Sequence, residues 1–573
     1  MRLGGAPINA RELNGSGQVP GDNRQFISAY FIFDITNPEK PPVLLGEMTR
    51  LTDAAGNSDE VDLGHSLAIP TMVVMKKDKA ATQTEDNKWY LLFGSGPHAP
   101  VGSNTAMEGV SDQKAKVAVL PLDWLVKTPT ALRIPEAAPT ADDETTTTTG
   151  EETAPTTGEE TAPTTGSAGG TFVLDASTNG FTSDLITVDL DINPSSANYF
   201  SDAVYFGTVE GLFNETPVGS ENFKWQGGGK LYRLVTRNKD DATKKYLHGE
   251  GVAPTITTPD QWTMTTLIDV GQPVSAAPNV GYDGDNFWVY FGTGRFFDVK
   301  DKTDDTQQSF YGIKEPMEAF EDSEGVKIPG VKEWLASTVV APTKEAHGAP
   351  PLETPLRTWP AETAGQGEKG LLKVDEIRVA EVNTADSTRL SCRGGGTDCL
   401  PPSMVTANAT KFADLVNYLA ESDPDGGDSK NLYNSADGWY VDFYPYGNRE
   451  RNVGQATLFG GLVTFTTYQP YNDPCQAEGL AYLYALHYQT GTAWTQKIYG
   501  SEYGLYEDKT NVREKLDLGR GLATTPNLHV SGDGGSVTAM VQTSTGVIEE
   551  IKQDNMATDD YFTGRGGWKE CSP

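Results

Sequence analysis

One strand pattern recurs along this chain and narrows its possible folds more than any other feature. An aromatic and aliphatic run ending in Gly-[Ser/Thr] appears at Trp89–Gly96 (WYLLFGSG), Val204–Thr208 (VYFGT) and Trp288–Gly294 (WVYFGTG), with a degenerate copy at Ala456–Gly461 (ATLFGG). After each comes a second strand-like segment: Lys116–Leu120, Gly229–Leu234, Ser309–Ile313 and Ala481–Leu486, with Gly546–Ile551 as a further candidate. A repeated antiparallel unit buries its faces only by stacking on copies of itself, so it forms a solenoid or a ring. The reading is an all-β propeller of about six to seven blades with loop insertions and one small helical insertion. An array of β-sandwiches is the alternative, and the Gly-[Ser/Thr]-Gly turns at strand ends favour blades.

The segments between the repeats set the organisation. Residues 1–25 form an N-terminal segment and 26–134 the first blades. Residues 135–170 hold the tandem octamer EETAPTTG and read as a disordered Thr/Pro/Glu-rich insertion, and 171–573 hold the remaining blades with an insertion at about 395–435. Thr/Pro/Glu sequence buries too little apolar surface to offset the entropy of ordering. Residues 341–366 are a second Pro-rich stretch. Within Thr410–Ser422, Phe412, Leu415, Val416 and Leu419 fall at helical spacing, which predicts a helix on the propeller rim.

Acidic residues outnumber basic ones by 79 to 45, for a net charge of −34. Such a chain repels phosphate backbones and attracts cations, which excludes nucleic acid as a partner and points to calcium for its carboxylate-rich loops. No run of about 18 apolar residues exists to span a membrane, and the N-terminus lacks the apolar core of a signal peptide. The expectation is an exported protein whose leader lies on an upstream segment. Cys392 and Cys399 bracket Arg393–Gly396, and a disulfide there is favoured over free thiols; Cys475 with Cys571 is a weaker pairing.

The sharpest site candidate is Val188–Asn193 (VDLDIN), followed by Asp202 at the start of a blade strand. Asp189, Asp191 and Asn193 alternate as calcium-loop ligands do, and Asp202 supplies a closing carboxylate. A solvated acidic strand end is the competing reading. Asp423–Asp428 and Asp298–Asp305 read as solvated charged loops, Asp283–Asp285 as a hairpin turn, and Gly292–Arg295 as a turn without phosphate-loop context. The six histidines show no metal-ligand spacing and no nucleophile motif occurs, so no catalytic residue is assigned.

Together, Trp288–Arg295 and Gln307–Lys314 (QQSFYGIK) resemble the VYxGTGR and QSxYGIxD strands of the PilY family of type IV pilus tip-associated adhesins. Tyr30–Pro38 (YFIFDITNP), Leu63–Pro70 (LGHSLAIP), and Asp437–Tyr440 leading to Gly460–Thr467 and Asp473–Cys475 are similar to further family segments, in the same order. The resemblance covers about residues 26–552. It implies a modified propeller at the pilus tip, acting with minor pilins in assembly, extension and retraction under control of a calcium loop of DxDxNxxxD form. Asp189, Asp191 and Asn193 match that loop's first ligands and Asp202 its last, across a lengthened gap at Pro194–Ser201. The family's von Willebrand A-like region has no counterpart here, since Asp175–Asn179 breaks the DxSxS pattern; a fragment or split gene is expected. Two other functions compete. A quinone-dependent dehydrogenase propeller would in many members carry adjacent cysteines, which this chain lacks; a surface adhesin unconnected with pili would not bind minor pilins.

Overall fold

The computed structural model describes most of residues 29–48, 61–75, 87–122, 179–342 and 370–553, with the short strands Arg2–Leu3, Ile8–Ala10, Arg24–Phe26, Arg50–Leu51 and Thr171–Val173. The chain is all-β and propeller-like. Six sheets of three to five strands, antiparallel but for one edge strand, follow one another among the described residues, beside a separate three-stranded sheet of Tyr246–Gly249, Lys327–Trp334 and Met317–Glu321 and several two-stranded ribbons. The first joins Arg2–Leu3, Ala29–Asp34 and Val43–Met48. In the second, Thr71–Met75, Lys88–Gly94, Lys116–Pro121 and Thr171–Val173 lie side by side in chain order. The third sets Gly180–Thr182 and Ile186–Val188 on Ala203–Glu210, then adds Lys230–Val235 and Thr263–Asp269. The fourth runs Asn279–Tyr282, Phe287–Gly292, Ser309–Lys314 and Gly438–Asp442, with Leu371–Lys373 parallel at its edge. The fifth runs Thr457–Phe459, Leu462–Pro470, Gly479–His487 and Lys515–Arg520, and the sixth Asn527–Val530, Val537–Gln542 and Ile548–Gln553.

The motif strands ending at Gly94, Gly207 and Gly292 each occupy the second place of their sheet. One hydrogen-bonding scheme explains their Gly-[Ser/Thr] ending. The carbonyl of Ser95, Thr208 or Thr293 accepts from the segment that enters the next sheet: from Thr182 N at 3.0 Å, Val274 N at 2.9 Å and Asn452 N at 3.0 Å. The hydroxyl of the same residue accepts from the start of the following strand: Lys116 N to Ser95 Oγ at 2.8 Å, Lys230 N to Thr208 Oγ1 at 3.0 Å and Ser309 N to Thr293 Oγ1 at 2.8 Å. The glycine before it admits that entering segment, because a Cβ on Gly94, Gly207 or Gly292 would collide with Thr182, Val274 or Asn452 respectively. The degenerate copy differs from the expectation. Ala456–Gly461 is the first strand and hairpin of the fifth sheet, and the motif position falls on Leu462–Pro470, which pairs with Gly479–His487.

Apolar clusters fill the spaces between successive sheets. Tyr30 and Phe93 join the first to the second; Leu92, Phe206 and Leu234 the second to the third; Tyr205, Leu231, Phe291 and Tyr311 the third to the fourth. The largest cluster lies between the fourth and fifth, where Phe310 stacks on Phe465 with centroids 3.8 Å apart. The helix forms at Phe412–Leu419, inside the expected span. Its Leu415, Tyr418 and Leu419 are fully buried in that largest cluster, so the helix belongs to the core between two sheets and not to a rim. Leu462, Leu483, Ala539 and Val541 join the fifth sheet to the sixth.

Gly292→Ala is expected to cost about 1–3 kcal/mol by overpacking, and Thr293→Val a similar amount by leaving Ser309 N buried without an acceptor. Gly454→Ala is the control, because its Cβ would meet neighbours no nearer than 3.4 Å. Urea unfolding of the three variants measures the contrast, and equal stabilities for Gly292→Ala and Gly454→Ala would refute the close-approach argument.

Candidate functional site

Residues 189–202 are the hairpin loop between Ile186–Val188 and Ala203–Glu210, and both ends of it are fixed. Asp202 N donates to Val188 O at 2.9 Å, and Ser201 N donates to Val74 O at 3.0 Å, so the loop closes against the second sheet. Val74 N returns a bond to Ser201 Oγ at 3.0 Å. The site therefore stands where the second and third sheets meet.

The four sequence-selected residues separate in character. Asp189 is half-buried at the loop's start. Asp191 and Asn193 lie outside the described residues. Asp202 is buried and has partners of its own: Oδ2 accepts from Leu190 N at 2.9 Å, and Oδ1 pairs with Arg237 Nε at 2.5 Å. The Arg237 guanidinium also donates to Leu247 O, and His248 Nε2 bonds Leu190 O. Asp202 thus ties the loop to two neighbouring segments, and the lengthened gap after Asn193 leaves it at the start of its strand. Among the described residues, no group of three or more His, Cys, Asp or Glu side chains is arranged to hold a metal ion. For calcium, the described ends of the loop hold two carboxylates, the half-buried one of Asp189 and the buried one of Asp202, whose charge is matched by Arg237.

Other acidic segments resolve differently. Asp283 makes the turn expected of it, accepting from Asp285 N at 2.9 Å, Asn286 N at 2.6 Å and Trp288 Nε1 at 2.7 Å. Asp423–Asp428 lies outside the described residues. Asp298–Asp305 is not the solvated loop expected from its charge. Asp301 is fully buried and pairs with Arg295 Nε at 2.8 Å, and Asp304 is buried beside it. Arg295 stacks 3.7 Å over the Trp225 ring and donates to Gly109 O at 2.9 Å, so it ties the second, third and fourth sheets together. Burial lowers the Arg295 pKa, and Asp301 acts against that loss. Arg451 adds the fifth sheet through bonds to Arg295 O at 3.0 Å and Asp304 O at 2.8 Å. Sequence reasoning passed over these arginines. Arg295 stands six residues before Asp301 in a segment crowded with other charges (Asp298, Lys300, Lys302, Asp304 and Asp305), so the order of residues does not single out the pair.

Cys392 and Cys399 form the expected disulfide, with Cα atoms 5.6 Å apart; Cys475 and Cys571 lie outside the described residues. No helix among the described residues is long and apolar enough to cross a membrane. His487 is buried between Phe412 and Trp494, and burial lowers its pKa to about 3, which keeps it neutral.

Comparison with known proteins gives a narrow result. No family model matches the sequence, and no curated protein matches it. Among solved structures, the chain is similar to the C-terminal domain of Pseudomonas aeruginosa PilY1, at TM-score 0.47 and 15% identity, over 96% of this chain and 84% of that one.

Two outcomes are expected from these buried groups. Asp202→Asn leaves Arg237 buried without a counter-charge and should cost about 3–5 kcal/mol in urea unfolding; a loss no larger than a surface substitution gives would refute the clamp. For His487 the folded pKa of about 3 lies below the 6.5 of an ordinary histidine. Above that value both states are neutral. Below it only the unfolded chain takes up the proton, so stability falls towards pH 3 by up to about 1.4 kcal/mol per pH unit. His487→Gln should remove that part of the acid slope, and an unchanged slope would refute the assignment.

Proposed function

We propose that this chain is a non-catalytic, calcium-responsive propeller of the pilus-tip adhesin type, working with minor pilins at the cell surface. The observation that carries the reading is the construction of the 189–202 loop. It is a hairpin loop with both ends pinned, bearing Asp189, Asp191 and Asn193 in ligand order at the junction of two sheets. In this reading Asp189, Asp191 and Asn193 carry the cation, with backbone oxygens and water completing six to eight ligands. Asp202 closes the loop from beneath and shares its carboxylate with Arg237. Bound calcium would neutralise crowded carboxylates and stiffen the junction between the second and third sheets.

The placement of the family-like segments supports the same reading. Phe287–Gly292, Ser309–Lys314 and Gly438–Asp442 are three adjacent strands of one sheet. Leu462–Pro470 packs against them through Phe465. The Tyr30 hydroxyl donates to Ala68 O at 2.8 Å, so the YFIFDITNP and LGHSLAIP segments touch. The segments that resemble the family thus form two contiguous groups in space, one at the first and second sheets and one at the fourth and fifth, while Asp473–Cys475 lies outside the described residues.

Calorimetry tests the calcium part. Wild type should bind calcium at micromolar to millimolar concentration, and Asp189→Ala or Asp191→Ala should abolish the heat while the melting transition of the calcium-free protein stays in place. Binding unaltered in Asp191→Ala would remove the loop from the proposal. Co-precipitation with minor pilins in calcium and in chelator tests the partner, and no capture in either condition would leave a surface adhesin unconnected with pili. Dye reduction after addition of pyrroloquinoline quinone and calcium would instead establish a dehydrogenase.

A further inference from the structure

A cleft lies between the fourth and fifth sheets, under the loop that the disulfide closes. It consists of two adjoining cavities of about 330 and 480 Å³, and both are lined by Arg378, Arg393 and Tyr506. Its floor is built from Val374 and Val441 of one sheet and Tyr484 and Leu486 of the other. Arg513 reaches the second cavity, and Tyr444, whose side is 44% exposed, stands at the mouth of the first.

The charges around this cleft do not cancel evenly. Glu514 is engaged by Arg378 at 3.3 Å and by the Tyr506 hydroxyl at 2.6 Å. Asp442 is held by Lys373 at 2.9 Å, and Asp375 lies 3.9 Å from the same amine. Asp508 is spent on its own turn, accepting from Thr510 N at 2.8 Å and Asn511 Nδ2 at 2.6 Å. Lys515 is paired with Glu450 at 2.6 Å. Glu507 stands exposed at the edge of the second cavity.

Arg393 and Arg513 are left over. Neither makes an ion pair among the described residues, and the Nε of each is buried without a hydrogen-bond partner. Arg393 lies 3.7 Å over the Tyr444 ring and donates to Asp375 O at 3.1 Å; Arg513 lies 5.5 Å from the Tyr506 ring centre. Arg393 follows Cys392 directly, so the disulfide fixes the backbone that carries it. Two guanidiniums without a carboxylate have been brought together in a chain whose net charge is −34.

We propose that this cleft binds a carboxylate-bearing sugar residue, such as a uronic or sialic acid. Guanidinium groups without a counter-ion match a carboxylate, the more so where bidentate geometry is open to them. Tyrosine side chains offer apolar rings beside polar tips, which suits the C–H face and hydroxyls of a pyranose. The engaged carboxylates and amides at the rim can accept from sugar hydroxyls. The volume fits a small ligand of one or two rings. The overall acidity disfavours polyphosphates and polyanionic strands, which meet long-range repulsion before any local contact. The inference goes beyond the pilus reading and is independent of the calcium loop, which belongs to a different pair of sheets.

Titration calorimetry of the whole chain in chelator tests it, with glucuronic acid and N-acetylneuraminic acid as probes and glucose and acetate as controls. At least one acidic sugar should bind saturably, about tenfold or more tighter than either control. Arg393→Gln and Arg513→Gln should each weaken it about tenfold or more without altering calcium binding. Tyr444→Ala, at an exposed ring, should weaken the sugar more than acetate while the protein melts as wild type does. Acetate binding as well as the acidic sugar would reduce the cleft to a simple anion site. Equal binding of glucose, unaltered affinity in both arginine variants, or no binding of either acid would each overturn the proposal.

Discussion

The structure depends on a hand-over between sheets. At the end of each motif strand one Ser or Thr serves two directions at once: its hydroxyl receives the next strand of its own sheet, and its carbonyl receives the segment entering the next sheet. The glycine before it is needed because that entering segment occupies the space of a Cβ. A sheet of four short strands cannot bury both faces alone, so each gains its core only when its neighbour is in place. The Ser or Thr bond fixes the register of that meeting, and the apolar clusters between sheets then form around it. Local sequence and long-range packing are therefore specified by the same two residues.

Buried charge adds a second layer of specification at fewer points. Arg233 and Glu315 are both fully buried and pair at 2.5 Å between the third and fourth sheets. Arg295, Arg451, Asp301 and Asp304 gather segments of the second to fifth sheets at one end of the strands. Pairs of this kind contribute little net stability over apolar replacements, yet breaking one is costly, because the remaining charge has no water to replace its partner. Their effect is to make wrong packing between sheets expensive. Asp202 with Arg237 belongs to the same class, which is why a residue selected as a metal ligand emerges as part of the frame that closes the loop.

Much of this architecture is legible in the amino-acid order because its determinants are local. Trp288–Gly294 and Ser309–Ile313 announce two neighbouring strands by composition and by the turn residues that follow. The helix at Phe412–Leu419 follows from the spacing of four apolar residues. Its burial does not, since that depends on a cavity between sheets assembled from residues far away, Trp439 and Phe465 among them. Position and partner are long-range facts, and for the same reason Ala456–Gly461 has the composition of a motif strand yet leads into one. Asp301 fails as a solvated residue because the guanidinium that neutralises it arrives through a turn in the chain. Charge in sequence gives no sign of whether a counter-charge will be delivered in space. The candidate loop at Asp189–Asn193 is legible as ligand order alone, and the part of it that structure adds is the pinning of its ends.

The distribution of charge joins these features. A surplus of acids this large has to be carried mostly on the surface, where water and cations screen it. Arginines are thereby drawn inward: Arg233, Arg237 and Arg295 each pair with a buried acid at a sheet junction. An arginine left without an acid in such a protein is conspicuous, because potential partners surround it on every side. Arg393 and Arg513 are held away from those partners by aromatic rings and by a disulfide-closed loop. Holding guanidiniums apart from an excess of carboxylates has a cost in desolvation, and a ligand that brings its own carboxylate would recover it. By that argument the cleft between the fourth and fifth sheets is the place where the surface of this protein is prepared for an acid other than its own.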